Sequence, residues 1–259
     1  MKKLFWIALL ALSTSFVNAQ TMRRGLMTSQ RPACTIPSLT GAFGAWFADQ
    51  GVTCTGGCSA GNPVTAIADQ GPSGNNLTAI SNATFRTGEI NGLPAIDMLG
   101  TAYFQTPALQ QSTPGSTSVV MVAKLNSLSG KQTVTSNQST ADSFAYYLNY
   151  GATNQQGADA DETATIASGT AAHDLLYHQT NVIFTNGVSY AFRIDRTNDG
   201  SGSTSQTVSA TDGITQIGLD AGAIQPANYR WYALIIFNGA ITTTVRNNWE
   251  TYLNCKTGL

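Results

Sequence analysis

Short apolar runs separated by clusters of polar turn-forming residues recur along the whole chain. Their alternating or continuous pattern is typical of β-strands rather than helices. The runs cover residues 43–47, 64–68, 94–98, 117–125, 144–148, 182–185, 188–195, 214–219 and 229–238. Between them, clusters such as "NYGATNQQGADADE" and "NDGSGSTS" predict turns. Many short strands with Gly-rich turns and few helices predict an all-β protein, an antiparallel jelly-roll β-sandwich.

Two local signals add detail to this picture. In "TNGVSYAFRID" the pair Asn186-Gly187 separates two strand-like runs, which predicts a β-hairpin. In "ITTTVRNNWETYLNC" an apolar face at helical spacing follows a capping threonine, Thr242. The face consists of Val245, Trp249, Tyr252 and Leu253. We therefore expect a short C-terminal α-helix whose Trp249 faces the core.

The first residues, "MKKLFWIALLALSTSFVNAQ", have the organisation of a secretory signal peptide. Lys2 and Lys3 precede an apolar segment, and "VNA" supplies small residues for cleavage after Ala19. The alternative, a membrane anchor, is disfavoured because the apolar segment is shorter than the roughly 20 residues that span a bilayer. We expect a signal peptide at 1–19, a lead-in segment at 20–40, one jelly-roll domain at 41–259, and a secreted protein without a membrane span.

Few charged residues are present in the chain. Only 10% of residues are charged, and 13 Lys and Arg face 14 Asp and Glu. No basic stripe is available for phosphates, so nucleic acid is a poor candidate partner.

Four cysteines remain after the leader: Cys34, Cys54, Cys58 and Cys255. An even number in an exported protein indicates disulfides, and four cysteines allow three connectivities. Two glycines allow the short segment Cys54-Thr-Gly-Gly-Cys58 to close on itself. The alternative, a four-cysteine zinc site, lacks a second closely spaced pair.

The segment "VTAIADQGPSGNNLTAI" predicts an elaborate corner between two strands. Gly71 and Gly74 permit positive φ, and Pro72 fixes its own φ. Asp69, Asn75 and Asn76 can bond to amides of their own turn. We interpret the corner as scaffold rather than as a ligand contact.

This corner, with "AWFADQGVT" before it and "INGLPAIDMLGTAYFQTP" after it, resembles the concanavalin A-like, laminin G-like jelly-roll domains of secreted bacterial proteins. The C-terminal "YRWYALIIFNGAITTTVRNNWETYLNCKTGL" is similar to the closing strand and helix of that family. Ala68 is a departure, since the family often has a larger apolar residue there. Because the chain ends meet in that family, the resemblance implies a disulfide between Cys34 and Cys255.

A second resemblance is to the catalytic domain of the α-L-arabinofuranosidase B family, carried by Cys54, Cys58 and "ADQGPSGNNLT". It implies an acid at Asp220, in "IGLDAG", and a glutamate nucleophile after a vicinal cysteine pair. The corresponding "SFAYYLNYGATNQQ" has neither the cysteine pair nor a glutamate. Since a glycosidase needs two carboxyl groups, Asp220 alone cannot carry out the reaction.

The other carboxylates and the histidines offer little chemistry by sequence. Glutamate is scarce, with only Glu89, Glu162 and Glu250, and the acidic "ADADET" holds Asp159 and Asp161 next to Glu162. We interpret this segment as an acidic loop on the surface, with calcium as a possible cofactor. His173 and His178 are five residues apart, which does not match the i, i+4 pair of a helical zinc motif, so we expect them to be structural.

The sequence thus predicts a carbohydrate-binding, lectin-like jelly roll without catalysis of its own. Sugar sites combine an aromatic face with amide and carboxylate groups. The candidate ligand-binding residues are Tyr146, Tyr147, Tyr150, Asn154, Gln156 and Asp220. Two alternatives are a divergent glycoside hydrolase of the arabinofuranosidase type, with Asp220 catalytic, and a structural or adhesive surface protein.

Overall fold

The computed structural model describes residues 33–81, 83–106, 108, 115–137, 144–150, 154–160, 164–208, 214–219 and 227–259. These residues form seventeen strands and one helix, and Ile36–Leu259 belongs to one compact unit. The strands are β1 Ala42–Phe47, β2 Val52–Cys54, β3 Val64–Ile67, β4 Leu77–Ser81, β5 Thr84–Ile90, β6 Leu93–Gly100, β7 Tyr103–Thr106, β8 Thr117–Leu125, β9 Gln132–Asn137, β10 Phe144–Asn149, β11 Gln155–Ala160, β12 Ala164–Ala172, β13 His178–Thr185, β14 Ser189–Ile194, β15 Thr197–Ser203, β16 Thr215–Ile217 and β17 Ala227–Asn238, and the helix α1 is Thr243–Thr257. The predicted signal peptide and Asp220 lie outside the described residues.

The strands form two antiparallel sheets. The eight-stranded sheet has the order β15-β14-β13-β8-β17-β6-β5, and β1 also pairs with β17. The nine-stranded sheet has the order β12-β11-β10-β9-β16-β7-β4-β3-β2. Phe104 and Trp231, one from each sheet, meet edge to face at 6.4 Å, and Phe144 stacks on Phe184 at 5.5 Å. The core therefore lies between the sheets, and the predicted antiparallel β-sandwich with a C-terminal helix is confirmed.

Strand β17 has three partners. It pairs with β8 along one side, while on the other side Ala227–Trp231 pairs with β6 and Ala233–Phe237 pairs with β1. A β-bulge between Trp231 and Ala233 marks the change of partner, in keeping with the way bulges redirect a strand. The most apolar run of the sequence is thus the centre of its sheet.

The corner at residues 69–76 covers the other edge of β1. The Asp69 carboxylate accepts hydrogen bonds from the amides of Ala45, Gly71 and Asn75 at 2.8, 2.7 and 2.9 Å. Gln70 donates its amide to the carbonyl of Ala45 at 2.8 Å, and the Asn75 side chain donates to a second β1 carbonyl. Strand β1 would otherwise present unpaired backbone groups, so the corner is the protective cover of an edge strand. The prediction of a scaffold corner is consistent with these contacts, although only Gly74 (φ 66°), not Gly71, has positive φ.

The C-terminal helix follows its predicted pattern. Thr242 caps it by accepting a hydrogen bond from the Val245 amide, and Gly258 ends it in the left-handed conformation. Trp249 is fully buried and stacks on Phe47 at 6.4 Å, which confirms its predicted role as a core-facing anchor.

The buried carboxylate of Glu250 fixes α1 to the eight-stranded sheet. It accepts hydrogen bonds from Asn181 and Arg193 at 2.8 Å, and its side chain is 2% exposed. The charge is thereby paired within the protein.

Two segments that the sequence pattern assigns to turns are strands. "QQGADA" forms β11 and "TNDGSGS" forms β15. The reason lies in tertiary contacts, because Asp199 of β15 accepts from the amides of Thr170 and Ala171 in β12 and so joins the edges of the two sheets. The predicted hairpin at Asn186-Gly187 is confirmed between β13 and β14, with a loop of residues 186–188.

All four cysteines are disulfide-bonded. Cys54 and Cys58 are bonded to each other with a Cα–Cα distance of 5.1 Å, which confirms the predicted small loop. Disulfide-bonded sulfur is not a thiolate ligand, so the zinc alternative is wrong. The pairing of Cys34 with Cys255 stays a prediction.

Candidate functional site

One polar row crosses the face of the nine-stranded sheet that points away from the core. Directly paired residues of neighbouring antiparallel strands share a face, and Phe104 and Phe144 define the core side. The next positions along these strands therefore lie on the outer face. They are Gln105, Gln216, Ser136, Ala145 and Asp159, paired in that order across β7, β16, β9, β10 and β11.

A compact cluster lies at the β9–β11 end of this row. The Lys131 ammonium is 3.0 Å from Asp159 Oδ2 and 4.7 Å from the ring centroids of both Tyr147 and Tyr150. The two rings are tilted against each other at 5.5 Å. We call these four residues the outer-face cluster. Its cation has an ion-pair partner and two aromatic faces, which together favour its desolvation.

Gly157 makes room for the ring of Tyr150. Gly157 pairs with Tyr147 across β10 and β11, and a Cβ added to it would lie 2.6 Å from Tyr150 Cγ. The ring of Tyr150 therefore lies directly on the backbone of β11. The Tyr150 amide donates to the carbonyl of Gln155 at 2.7 Å, which closes the turn from β10 to β11.

The cluster has a buried floor and a half-exposed rim. Tyr147 and Asp159 are fully buried, while Tyr150 and Lys131 are half-buried. Within the described residues, Asp159 Oδ1 and Thr133 Oγ1, both on this part of the sheet, have no hydrogen-bond partner. Buried polar atoms in folded proteins are nearly always bonded, so unpartnered ones are unusual.

The structure separates the predicted site residues into three groups. Tyr147 and Tyr150 lie together in the outer-face cluster. Asn154 adjoins them in the turn, with a φ of 57°, and its carbonyl accepts from the amide of His173. Asp220 is outside the described residues.

Tyr146 and Gln156 were expected in ligand-binding loops, and for these two the structure gives a correction. Both are fully buried strand residues that face the interior of the sandwich. The Tyr146 hydroxyl donates to Gln156 Oε1 at 2.8 Å, and Gln156 Nε2 donates to Asp199 Oδ2 at 2.5 Å. Burial raises the pKa of the Tyr146 hydroxyl well above its usual value. Neighbouring strand residues point to opposite faces, so Tyr146 and Tyr147 cannot contact the same ligand.

Lys131 and Asp159 are the members of the cluster that sequence reasoning missed. The segment "ADADET" was expected to be a surface loop, but Asp159 lies in β11 and its side chain is 1% exposed. Asp161 and Glu162 lie outside the described residues. The spacing of two between Asp159 and Asp161 was the one sequence signal for a strand here. The Gly-rich surroundings favoured a loop instead.

Both histidines lie beside the turn that leads to Tyr150. His173 is 4% exposed, and burial, together with repulsion from His178, lowers its pKa to about 4. The ring of His178 lies between two carboxylates, with Nδ1 2.6 Å from Asp195 and Nε2 2.9 Å from Asp174. Within the described residues no three His, Cys, Asp or Glu side chains are arranged to hold a metal ion.

A separate cavity of about 380 Å³ adjoins the Cys54–Cys58 loop. Its walls include Val52, Phe85 and Pro94, and Asp49 contributes a carboxylate that is bonded to Lys256 at 3.0 Å. It shares no residue with the outer-face cluster. The helix that the structure describes is too short and too polar to cross a membrane.

Comparisons with known proteins show the fold. No family model and no curated protein matches the sequence. Among solved structures, domain 4 of AbnA, a GH43 extracellular arabinanase from Geobacillus stearothermophilus in complex with arabinotriose, matches with a TM-score of 0.60 and 11% identity over 80% of this chain and 97% of that domain. A GH54 α-L-arabinofuranosidase soaked with a cyclic sulfate inhibitor matches with a TM-score of 0.59 and 13% identity over 76% of this chain. The binding domain of Paraclostridial Mosquitocidal Protein 1 matches with a TM-score of 0.59 and 8% identity over 84% of this chain.

The present chain spans 52% of the length of the arabinofuranosidase and of the mosquitocidal binding domain. The structural similarity shows a shared β-sandwich fold. Because the identities are so low, the chemistry has to be argued from the residues of this chain.

Proposed function

We propose that the protein is an exported, concanavalin A-like carbohydrate-binding domain that holds its ligand at the outer-face cluster and does not hydrolyse it. The observation that carries the proposal is the composition of that cluster. A half-buried tyrosine ring and an ammonium adjoin a buried carboxylate that has an unpartnered oxygen. Sugar sites combine these elements, an aromatic face for the apolar side of the ring and charged or polar groups for the hydroxyls.

The structural neighbours support the class of ligand. One neighbour is a domain in complex with arabinotriose, and it is covered over 97% of its length. Another is a botulinum neurotoxin whose cell entry depends on interaction with two ganglioside molecules. These ligands belong to the neighbouring proteins, and for this reason we choose oligosaccharides as the first probes for this chain. The disulfides, together with an extracellular arabinanase as neighbour, support a secreted protein.

Each member of the cluster has a distinct role in this proposal. The ring of Tyr150 packs against the C–H face of the sugar. Lys131 donates to a hydroxyl or ring oxygen, and the buried Asp159, 3.0 Å from the ammonium, holds Lys131 in position. Tyr147 lies beneath and fixes the ammonium at 4.7 Å from its ring. Since the Lys131–Asp159 pair is neutral as a whole, an uncharged sugar fits better than an acidic one.

The described carboxylates favour binding over hydrolysis. A glycosidase requires two carboxyl groups that flank one bond. Along the outer-face row, Asp159 is the one carboxylate among the described residues, and it is paired with Lys131. Glu89 lies on the eight-stranded sheet and Glu250 on α1, and each forms an ion pair with an arginine. A divergent arabinofuranosidase that uses Asp220 is the second candidate, supported by the Cys54–Cys58 loop and the GH54 neighbour.

A glycan array with the purified protein, with arabinotriose as the first individual probe, tests the proposal. Tyr150→Ala and Asp159→Asn should each weaken binding about tenfold, since one stacking or charged contact is worth ~1–2 kcal/mol. Tyr190→Ala is the matched control, a half-buried tyrosine of the other sheet, and should retain binding.

Three outcomes would contradict the proposal. Binding that is unchanged in both variants would place the site elsewhere. Absence of binding to any glycan would favour a structural or adhesive role. Release of nitrophenol from an aryl arabinofuranoside, abolished by Asp220→Asn, would favour the hydrolase. Repetition of the array in the presence of a chelator determines whether calcium contributes.

A further inference from the structure

Both ring nitrogens of His178 face carboxylate oxygens. Nδ1 is 2.6 Å from Asp195 Oδ2, and Nε2 is 2.9 Å from Asp174 Oδ1. An ionised carboxylate only accepts hydrogen bonds, and a neutral imidazole has a single N–H. The two contacts exist together only when the ring carries both protons. His178 is therefore an imidazolium in this arrangement, and its two hydrogen bonds connect two segments of the chain.

The two segments are the connection from β12 to β13 and the turn from β14 to β15. Asp174 belongs to the first, residues 173–177, which we call the histidine loop. The same Asp174 oxygen accepts from the amide of Leu176 at 2.6 Å, so the carboxylate also shapes the loop. Asp195 belongs to the second, where it has a φ of 46° and accepts from the amide of Gln179 at 2.9 Å.

The histidine loop is bonded directly to the turn that leads to the outer-face cluster. The amide of His173 donates to the carbonyl of Asn154 at 2.6 Å. The next residue, Gln155, accepts from the amide of Tyr150 at 2.7 Å and pairs with Ala172 in the sheet. An unbroken series of hydrogen bonds and covalent links thus connects the ring of His178 to the backbone of Tyr150.

We propose that protonated His178 holds the histidine loop in place and thereby fixes Asn154 and Gln155, which are bonded to that loop and to Tyr150, so that loss of the proton weakens ligand binding at the outer-face cluster. This inference rests on the proposed function: it states that the ligand affinity of the same site depends on pH.

The charges around His178 set the direction of the response. Asp195 raises the pKa of His178, partial burial opposes this, and Asp174 raises it further. His173, in the same loop, is a further titratable group that faces His178. Asp199 of β15 acts in turn on His173. On β8, Ala123 lies directly opposite His178, and the neighbouring Lys124 is turned toward Glu89 and Tyr177.

The sign follows from these shifts. A raised pKa means that the clamp contributes fully below the ordinary value of about 6.5 and is lost as the pH rises through the raised value. Toward acid, His173 resists protonation until about pH 4. Ligand binding should therefore be strongest between about pH 4 and the raised pKa of His178, and it should decline above that pKa.

The first measurement follows the clamp itself and needs no ligand. Long-range ¹H–¹⁵N spectra of the histidine rings between pH 5 and 9 should show His178 doubly protonated at the acid end. Above its pKa, the amides of Leu176 and His173 should lose protection, measured as the exchange rate divided by the intrinsic rate at the same pH. In His178→Gln these two amides should be poorly protected at every pH. A His178 ring that is neutral at pH 5, or protection factors that do not change when the ring titrates, would overturn the clamp.

The second measurement follows the ligand that binds best on the array, over the same pH range. Wild-type affinity should fall about two- to fivefold as His178 loses its proton, the factor that a half-exposed ion pair supplies. In Asp174→Asn, which keeps an oxygen for the Leu176 amide, affinity should be low and independent of this titration. Affinity that stays constant while the clamp opens would refute the regulation and leave the binding site intact. Absence of any glycan binding would refute the proposed function, while the spectra would still decide the clamp.

Discussion

Removal of the Asp69 carboxylate should destabilise the sandwich through a strand that Asp69 does not belong to. In Asp69→Ala three backbone amides lose their acceptor, those of Ala45, Gly71 and Asn75. Gly71 and Asn75 are half-buried, so water can replace the carboxylate there. Ala45 is fully buried in β1, and its amide has no such replacement.

The magnitude follows from this difference in burial. A buried amide left without a partner costs about 1–3 kcal/mol, and each of the two accessible amides loses about 0.5–1 kcal/mol. The sum is about 3 kcal/mol. For a protein of this size, each kcal/mol lowers the melting temperature by about 2–4 °C, so a decrease of about 10 °C is expected.

Urea unfolding and calorimetry of a graded series provide the measurement. Asp69→Asn keeps one acceptor oxygen and should lose about half as much as Asp69→Ala. Ser73→Ala removes one hydrogen bond to the carbonyl of Ala42 and should cost about 1 kcal/mol. If Asp69→Ala costs less than 1 kcal/mol, or no more than Ser73→Ala, the corner does not secure the edge of β1 as argued.

Three further outcomes are expected. Glu250→Ala should lower the free energy of unfolding in urea by about 3 kcal/mol, because the largely buried guanidinium of Arg193 loses its partner. Glu250→Gln should cost less, and equal losses would contradict the ion-pair argument. Peptide mapping without reduction should recover Cys34 linked to Cys255, and a link from either to the 54–58 loop would refute that pairing. The pKa of about 4 at His173 means that the unfolded chain binds this proton first, so stability should fall by up to about 3 kcal/mol between pH 6.5 and 4, a loss that His173→Gln should lack.

The elements that sequence patterns predicted are those whose signal is local. The run at residues 229–238 is apolar throughout and is strand β17, and the capping threonine and apolar face before the C-terminus form α1. Strands β11 and β15 carry no such signal, because β11 consists of Gln, Gly, Ala and Asp, and Gly and Ser make up most of β15. They are strands because of partners that are distant in sequence, such as the β12 amides that bind Asp199.

The same distinction holds for the candidate site. Tyr147 and Tyr150 were found by residue type, since aromatic residues near polar ones suggest sugar contacts. Lys131 joins them only through the register of β9 and β10 across the sheet, which no short motif encodes. Tyr146 and Tyr147 were both predicted as ligand contacts, but they lie on opposite faces of β10, which strict strand alternation would have indicated from the sequence alone.

The position of β17 has a consequence for the order in which the chain can fold. This strand lies between β8 on one side and β1 and β6 on the other, yet it begins only at Ala227. Until Ala227–Asn238 is available, β1 and β8 lack the strand that joins them, and the eight-stranded sheet is incomplete. Pairings between sequence-distant strands of this kind are slow to form. A nascent chain therefore cannot complete its eight-stranded sheet, or close the core against it, before β17 has been synthesised.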